Sequence, residues 1–188
     1  VGEAPSLVRV AASWAALPLV SELVSEYGRL NPRTSFDVVA VEADVARDLV
    51  AVGQADVAVV GADPEGDAAQ DGGLVARALA LDAVAVVAHP ALGIDELTAG
   101  QLAALYAGEY LRWDELGGRR EGVARDAVEV LVHGEGSVER AVFERAVMGE
   151  GAVSSFAIVV PHDRAVIEYV AEHPGAIGYV SNAYVDER

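Results

Sequence analysis

Short, almost uninterrupted apolar runs alternate with segments of helical periodicity along this chain of 188 residues. The runs are rich in Val and Ala, and they predict strands at residues 7–12, 35–41, 55–61, 127–132, 157–160 and 176–180. Between most of them, apolar residues recur at three- and four-residue spacing, which predicts helices. Strands that are apolar on both faces are typical of parallel sheets covered by helices on each side. The pattern therefore predicts an α/β protein built on parallel sheets.

Small polar residues stand where five of the helices are expected to begin. Such residues cap helix N-termini because their side-chain oxygen accepts a hydrogen bond from an unpaired backbone N–H group. The predicted caps are Ser13, Asp44, Thr98, Ser137 and Asp163. The helices that follow them are expected to run to about residues 30, 52, 106, 148 and 172.

The chain is strongly acidic, with 30 Asp and Glu against 13 basic residues and a net charge of −17. This balance argues against a binder of nucleic acid or of an anionic membrane surface, because both need a basic surface. A hydrophobic content of 53% is typical of a folded globular protein. With no cysteine, the chain forms neither a disulfide nor a thiolate metal site. No apolar run approaches the ~20 residues that cross a bilayer.

Motifs of enzymes and cofactor-binding proteins are missing from the sequence. It contains no H-E-x-x-H, no G-x-S-x-G, no P-loop lysine pattern and no G-x-G-x-x-G. We therefore expect no enzyme, no cofactor and no metal. One alternative stays open, a metal site shared by the loop of His133 and Glu135 and the loop of His162 and Asp163.

Three segments carry a resemblance to a known family. They are DAVAVVAHP at residues 82–90, LTAGQLAALYAGEYLRWDELGG at 97–118, and PGAIGYVS at 174–181. In order and spacing they resemble the solute-binding proteins of phosphate ABC transporters. The resemblance implies a two-lobed periplasmic-binding-protein fold of type II, with a ligand cleft between the lobes. It also implies that Trp113 belongs to the core.

The resemblance further implies where the lobes divide and where the protein works. The first lobe is expected at residues 1–82 and the second at 83–183, with residues 184–188 able to return to the first lobe. The expected location is extracytoplasmic, after removal of an export signal and with a lipid anchor as one option. The expected partners are a small solute and an ABC permease or a sensor protein.

Candidate binding residues lie where predicted strands end and helices begin. In open α/β sheets, ligands bind outside the carboxyl ends of strands, and helix N-termini there present N–H groups to an anion. In the expected fold these points are Ser13 and Trp14, Asp44, and Gly136 with Ser137. Ordinary helix capping by the polar residues, and packing of Trp14 at a helix start, are alternatives that the sequence leaves open.

Asp63 follows the third predicted strand. In the phosphate-binding relatives, an aspartate near this point accepts the proton of the bound ligand, and the resemblance implies that role for Asp63. A plain turn formed with Pro64 is the alternative.

The phosphate-binding relatives carry a loop R-x-x-G-S-G-T before a helix of the second lobe, in which the arginine pairs with the anion. The corresponding segment here is HGEGSVE, from His133 to Glu139. Gly136 and Ser137 match, whereas His133 replaces the arginine, Val138 replaces a glycine and Glu139 replaces the threonine. Histidine is fully charged only below about pH 6.5, and a carboxylate repels an anion. Arg140 is therefore the candidate for a substitute cation.

These observations favour a solute-binding domain that captures a small oxyanion such as phosphate in the cleft between the lobes. An acidic cleft would instead suit a cationic or polyhydroxylated solute. The alternative from another class is a sensory or protein-interaction module that has kept the fold and lost phosphate binding.

Overall fold

The computed structural model describes residues 6–61, 74–116 and 127–185. The chain divides into two compact units, Val1–Asp82 and Ala83–Arg188. Each unit has its own sheet and its own core, and each is described by itself below.

The first unit contains a three-stranded parallel sheet in the order β2-β1-β3. Its elements are β1 (Ser6–Ser13), α1 (Leu17–Leu30), β2 (Thr34–Val41), α2 (Ala43–Ala51) and β3 (Val57–Val59). β1 lies in the centre, and its residues alternate between two small clusters. Val10 and Ala12 pack with Val20 of α1, whereas Ala11 packs with Ala46 of α2. The two helices therefore cover opposite faces of the sheet, as the apolar runs predicted.

The second unit contains a four-stranded sheet in the order β4-β7-β5-β6. Its elements are β4 (Val84–Ala88), α3 (Ala99–Ala107), β5 (Glu129–His133), α4 (Val138–Phe143), β6 (Ile158–Val160), α5 (Asp163–Glu172) and β7 (Ala176–Ser181). After α4 the chain continues as a π-helix over Glu144–Met148. β5 pairs in parallel with both β6 and β7.

The prediction of purely parallel sheets is wrong for β4. This strand runs antiparallel to β7, with Val84 opposite Ser181 and Ala88 opposite Ile177. β4 is an edge strand, and an antiparallel edge strand on an otherwise parallel sheet is a common arrangement. A short apolar run does not distinguish the two directions, because its composition is the same in a parallel and in an antiparallel strand.

The core of the second unit lies on both faces of β7. Ile177 and Tyr179 belong to a cluster with α3, α4 and Trp113, whereas Ala176 and Val180 pack with α5. Trp113 is 2% exposed, and its indole N–H donates to the carbonyl of Gly175 at 2.9 Å. Trp113 is therefore a core residue, as the sequence predicted. Tyr184 packs against the α5 cluster. The return of residues 184–188 to the first lobe stays a prediction.

Two of the five predicted helix caps are confirmed. Thr98 Oγ1 accepts from the N–H of Gln101 at 3.2 Å, and the Gln101 side chain accepts from the N–H of Thr98, which completes a capping box. Ser137 Oγ accepts from the N–H of Arg140 at 3.1 Å and caps α4.

The other three predicted caps are wrong. The N-cap positions of α1, α2 and α5 are Ala16, Glu42 and His162. Ser13 is the last residue of β1 and is separated from α1 by a turn, while Asp44 and Asp163 already lie in the first turns of their helices. The side chains of Ser13 and Asp163 instead accept hydrogen bonds from backbone N–H groups at the ends of neighbouring strands.

Candidate functional site

The carboxyl ends of the three strands of the first unit meet at Ser13. This residue is 8% exposed, and its Oγ accepts a hydrogen bond from the N–H of Gly61, just beyond β3, at 3.1 Å. On the other side, Ser13 lies opposite Val41, the last residue of β2. Ser13 therefore ties the end of β1 to the chain leaving β3, at the edge where the sequence predicted a ligand.

The other predicted binding residues of the first unit differ in exposure. Trp14 is half-buried in the turn between β1 and α1. Asp44 is exposed, and its Oδ1 accepts from the N–H of Val45 at 2.7 Å. Asp63 lies outside the described residues, so its role stays a prediction.

In the second unit, the loop after β5 presents backbone donors. Gly136 has a φ of +91°, a left-handed conformation that glycine adopts without strain. Among the residues that the structure describes, the N–H groups of Gly136 and Val138 have no hydrogen-bond acceptor. They flank Ser137, whose hydroxyl oxygen is used by the helix cap. Two N–H donors on either side of Ser137, at a strand's carboxyl end, are suited to an oxyanion.

Arg140 is the cation that contacts this loop. One of its terminal guanidinium nitrogens donates to the carbonyl of His133 at 3.2 Å, and its Nε donates to Glu144 Oε1 at 2.7 Å. The side chain is 20% exposed. The Glu144 carboxylate is the main cause of a raised pKa at Arg140, so the guanidinium stays charged.

His133 points into the protein. It is 3% exposed, its Nε2 lies 3.0 Å from the carbonyl oxygen of Tyr179, and its ring packs against the Tyr179 ring. Because a carbonyl oxygen only accepts, Nε2 carries the hydrogen of this bond. The imidazole thus links the end of β5 to β7, and its part in ligand binding stays a prediction.

Asp163 is a buried residue of this edge that the sequence assigned to helix capping, with a metal site shared with the His133 loop as the alternative. It is 1% exposed, and its Oδ1 accepts from the N–H of Ser181, at the end of β7, at 2.6 Å. The same oxygen lies 4.0 Å from His133 Nε2. The only sequence signal for Asp163 was its place in the run Pro161-His162-Asp163, directly before the helical periodicity. That run does not predict that the Asp163 side chain is buried.

Glu139 and Tyr184 add to the electrostatics of the same edge. Glu139 lies in the first turn of α4 and is half-buried. Burial is the main cause that raises the pKa of Tyr184 to about 12, and the carboxylates of Asp163 and Glu139 raise it further. The predicted contribution of Glu139 to a ligand site stays a prediction.

The family of this chain follows from comparison with known proteins. A family model for the PBP superfamily domain matches residues 1–188. The chain belongs to the PBP superfamily. The resemblance drawn from the sequence motifs is therefore confirmed.

Known proteins similar to this PBP superfamily domain include one curated protein and two solved structures. The phosphate-binding protein PstS of Bacillus subtilis (strain 168) is 25% identical over 190 residues, which cover 98% of this chain. This chain spans only 60% of that protein's length. A structure with bound phosphate, described as a phosphate ABC transporter substrate-binding protein from Clostridium perfringens, matches with a TM-score of 0.82 and 22% identity, covering 96% of this chain and 72% of that chain.

An ABC-type phosphate transport receptor from Vibrio cholerae matches with a TM-score of 0.60 and 25% identity, covering 96% of this chain and 74% of that chain. Together with the family match, these likenesses confirm the predicted two-lobed periplasmic-binding-protein-like α/β fold. The predicted cleft between the lobes stays a prediction.

An apolar depression of about 440 Å³ lies in the first unit, at the end of β1 opposite to Ser13. It is found beside the amino ends of β1 and β2, where Ser6 and Thr34 begin those strands. Its lining residues are Ser6, Val8, Leu23, Val24, Tyr27, Thr34 and Phe36. The polar side chains of this lining are the hydroxyls of Ser6, Tyr27 and Thr34. None of the lining residues is charged, so the depression offers no cation to an anion.

Across residues 6–61, 74–116 and 127–185, no three His, Asp or Glu side chains are grouped so as to hold a metal ion. Over the same residues, no helix has the length and apolar character to cross a membrane.

Proposed function

We propose that this PBP superfamily domain is an extracytoplasmic solute-binding domain that captures a small oxyanion, with inorganic phosphate as the first candidate. The solute is bound and released without chemical conversion. An ABC permease or a sensor protein would receive the ligand-bound form. The relatives named for phosphate binding support this proposal over most of the chain.

One observation supports the proposal most strongly. The loop after β5 presents the N–H groups of Gly136 and Val138 without an acceptor among the described residues, beside the charged guanidinium of Arg140. Backbone donors and one arginine are the groups that hold an oxyanion in a protein site. Arg140 contacts the loop from within α4. The imidazole of His133, at the start of the loop, is turned into the core.

The acidic side chains nearby set a limit on affinity. Glu144 already neutralises part of the Arg140 charge, and Glu139 lies one residue before Arg140. Like charges about 4 Å apart cost about 4 kcal/mol at an effective dielectric near 20, and less where water screens them. We therefore propose that the backbone donors supply most of the selectivity, and that Arg140 supplies the charge that keeps a monovalent or divalent oxyanion bound.

Calorimetric titration of the full chain with inorganic phosphate tests this function at pH 7.5 and at pH 5.5. We expect saturable binding with one site at pH 7.5. We expect Arg140→Gln to weaken this binding at least tenfold, because a charge-assisted hydrogen bond contributes about 1.5–3 kcal/mol. Arg29→Gln is the matched control, because Arg29 also pairs with a glutamate of its own helix but lies at the last turn of α1.

Absence of heat with phosphate, sulfate and other small oxyanions at both pH values would reject oxyanion capture. That result would favour the alternative, a sensory or protein-interaction module that has kept the fold. Binding that is equally strong in the Arg140→Gln variant would place the site elsewhere on the chain.

A further inference from the structure

The segment that leads into β4 has no partner strand. Residues 74–81, LVARALAL, lie in no helix, strand, turn or bend, so the chain is extended there. Their backbone N–H and C=O groups make no hydrogen bond with the other residues of 6–61, 74–116 and 127–185. Unpaired donors and acceptors along an extended chain are a template for pairing with another strand. This segment of the first unit is therefore open to strand pairing.

The same segment exposes large apolar side chains. Leu81 is 97% exposed, more than any other large apolar side chain that the structure describes, and Val75 and Leu79 are 81% and 58% exposed. Single exposed apolar residues are ordinary on a protein surface, whereas contiguous ones mark an interaction site. Three of them close together, beside an unpaired backbone, indicate that another chain covers this segment.

Two opposite charges lie on the same stretch of chain. Arg77 and Asp82 are the charged residues of 74–83, and both are exposed. In an antiparallel pair of two copies, one register places Leu79 of each copy opposite Ala80 of the other. In that register, Arg77 of each copy lies opposite Asp82 of the other. In the two neighbouring registers, each charge lies opposite an uncharged residue.

This register also suits the apolar residues. It places Leu81 of each copy opposite Ala78 of the other, so each leucine faces an alanine and bulky side chains do not collide. Opposite charges across two strands stabilise the pair, and like charges destabilise it. Asp82 also has a contact within its own chain, and its two carboxylate oxygens accept more than one hydrogen bond. The segment is thus complementary to itself in charge and in size.

We propose that residues 75–82 are the interface of a symmetric dimer, in which two copies of this chain pair as antiparallel strands. Because the pairing has two-fold symmetry, every contact occurs twice and the assembly closes at two copies. The unpaired backbone groups gain partners, Leu79 and Leu81 lose contact with water, and two cross-strand ion pairs form. The net charge of −17 on each copy opposes association at long range, and salt screens this repulsion.

Sedimentation equilibrium of the full chain tests the dimer at about 0.15 M salt, where charges more than ~8 Å apart are largely screened. We expect a reversible equilibrium between monomer and dimer. Arg77→Asp and Asp82→Arg should each weaken the dimer at least tenfold, because both cross-strand pairs then bring like charges together. An equimolar mixture of the two variants should form a heterodimer about as strongly as the unaltered chain associates, since every charge again lies opposite its complement.

Leu81→Ser should weaken the dimer about fivefold, because less apolar surface leaves water on association. Leu30→Ser is the matched control, because Leu30 is 67% exposed at the end of α1, outside the proposed interface. It should leave the dimer unchanged. All four substituted positions are exposed, so the thermal midpoint of each variant in circular dichroism should stay close to that of the unaltered chain, which shows that the variants are folded.

Three results would overturn this dimer. One is a single monomeric species at every protein concentration. Another is a dimer that keeps its affinity in Arg77→Asp and in Leu81→Ser, which would mean that a different surface joins the copies. The third is a mixture of Arg77→Asp and Asp82→Arg that associates no better than either variant alone, because the proposed register requires the two variants to complement each other.

Discussion

Asp163 Oδ1 accepts a hydrogen bond of 2.6 Å from the backbone N–H of Ser181, and both residues are almost completely buried. This bond joins the first turn of α5 to the carboxyl end of β7. It therefore fixes the part of the second unit where the ends of β5, β6 and β7 come together.

Asp163→Ala is expected to destabilise the protein by about 1–3 kcal/mol, because the N–H of Ser181 loses its acceptor inside the core. Asp163→Asn keeps an oxygen at the same place and should lose less. Urea unfolding followed by circular dichroism gives both values, provided that the slopes match that of the unaltered chain. Equal losses for the two variants would show that the hydrogen bond to Ser181 is not what Asp163 contributes.

Asp56 is expected to make the stability of the first unit depend on pH in the acid range. Its carboxylate accepts from the backbone N–H and from two guanidinium nitrogens of Arg9, which lowers its pKa from 3.8 to about 2. A depressed pKa in the folded state adds stability above pH 4, and this stability is lost as the pH falls toward 2. Asp56→Asn should therefore be less stable than the unaltered chain at pH 7.

The difference in urea midpoint between Asp56→Asn and the unaltered chain should shrink steadily between pH 4 and pH 2. Added salt should also reduce it, because both side chains are about two-fifths exposed. A difference that stays constant over that pH interval would argue that the ion pair contributes nothing.

Gly178 is expected to tolerate no larger residue. A Cβ at this position would clash with Cγ1 of Val166, a buried side chain of α5, and would lie 3.4 Å from Cβ of Leu131. The Val166 side chain has a restricted χ1 rotamer, and the core is packed on both faces of β7. Gly178→Ala should therefore lower the free energy of unfolding by about 1–3 kcal/mol. The measurement is the free energy of unfolding in urea.

Gly28→Ala is the contrasting substitution. Gly28 lies within α1, and a Cβ there meets no atom within 4 Å. This variant should gain about 0.5–1 kcal/mol from the better helix propensity of alanine. A gain at Gly178 or a loss at Gly28 would contradict the packing described for the two positions.

Thr98 is expected to stabilise α3 through its capping box. Thr98→Ala should lower the free energy of unfolding by about 1 kcal/mol, since the N–H of Gln101 loses its acceptor, Thr98 Oγ1. Thr98→Ser retains a hydroxyl and should stay within a few tenths of a kcal/mol of the unaltered chain. A loss of the same size in both variants would indicate packing of the threonine methyl group as the cause.

The class of fold and most element positions could be predicted from the sequence, because they depend on local patterns. Apolar runs and helical periodicity located six strands, β1 to β3 and β5 to β7, and helices α1 to α5 to within a few residues. Thr98 was recognised as a cap because it is a small polar residue directly before the helical periodicity, whereas the partner role of Gln101 was not predicted. The motif around Trp113 and Gly178 identified the family.

The orientation of side chains at the strand ends could not be predicted, because it depends on contacts between distant parts of the chain. Ser13 was expected to cap α1, but its oxygen accepts from Gly61, 48 residues further on. The hydrogen-bond distance of 3.0 Å between His133 Nε2 and the carbonyl oxygen of Tyr179, 46 residues further on, was likewise not predicted. The direction of β4 was missed because burial does not encode strand direction.

The most direct test of the account is an amide NMR titration of the ¹⁵N-labelled full chain with inorganic phosphate at pH 7.5. The central claim is that the loop after β5 and Arg140 hold the oxyanion. It predicts that the amide signals of Gly136 and Val138 and the Nε signal of Arg140 shift together and saturate with the calorimetric affinity. Saturation that leaves these three signals unchanged while others move, or no shift at any phosphate concentration, would contradict it.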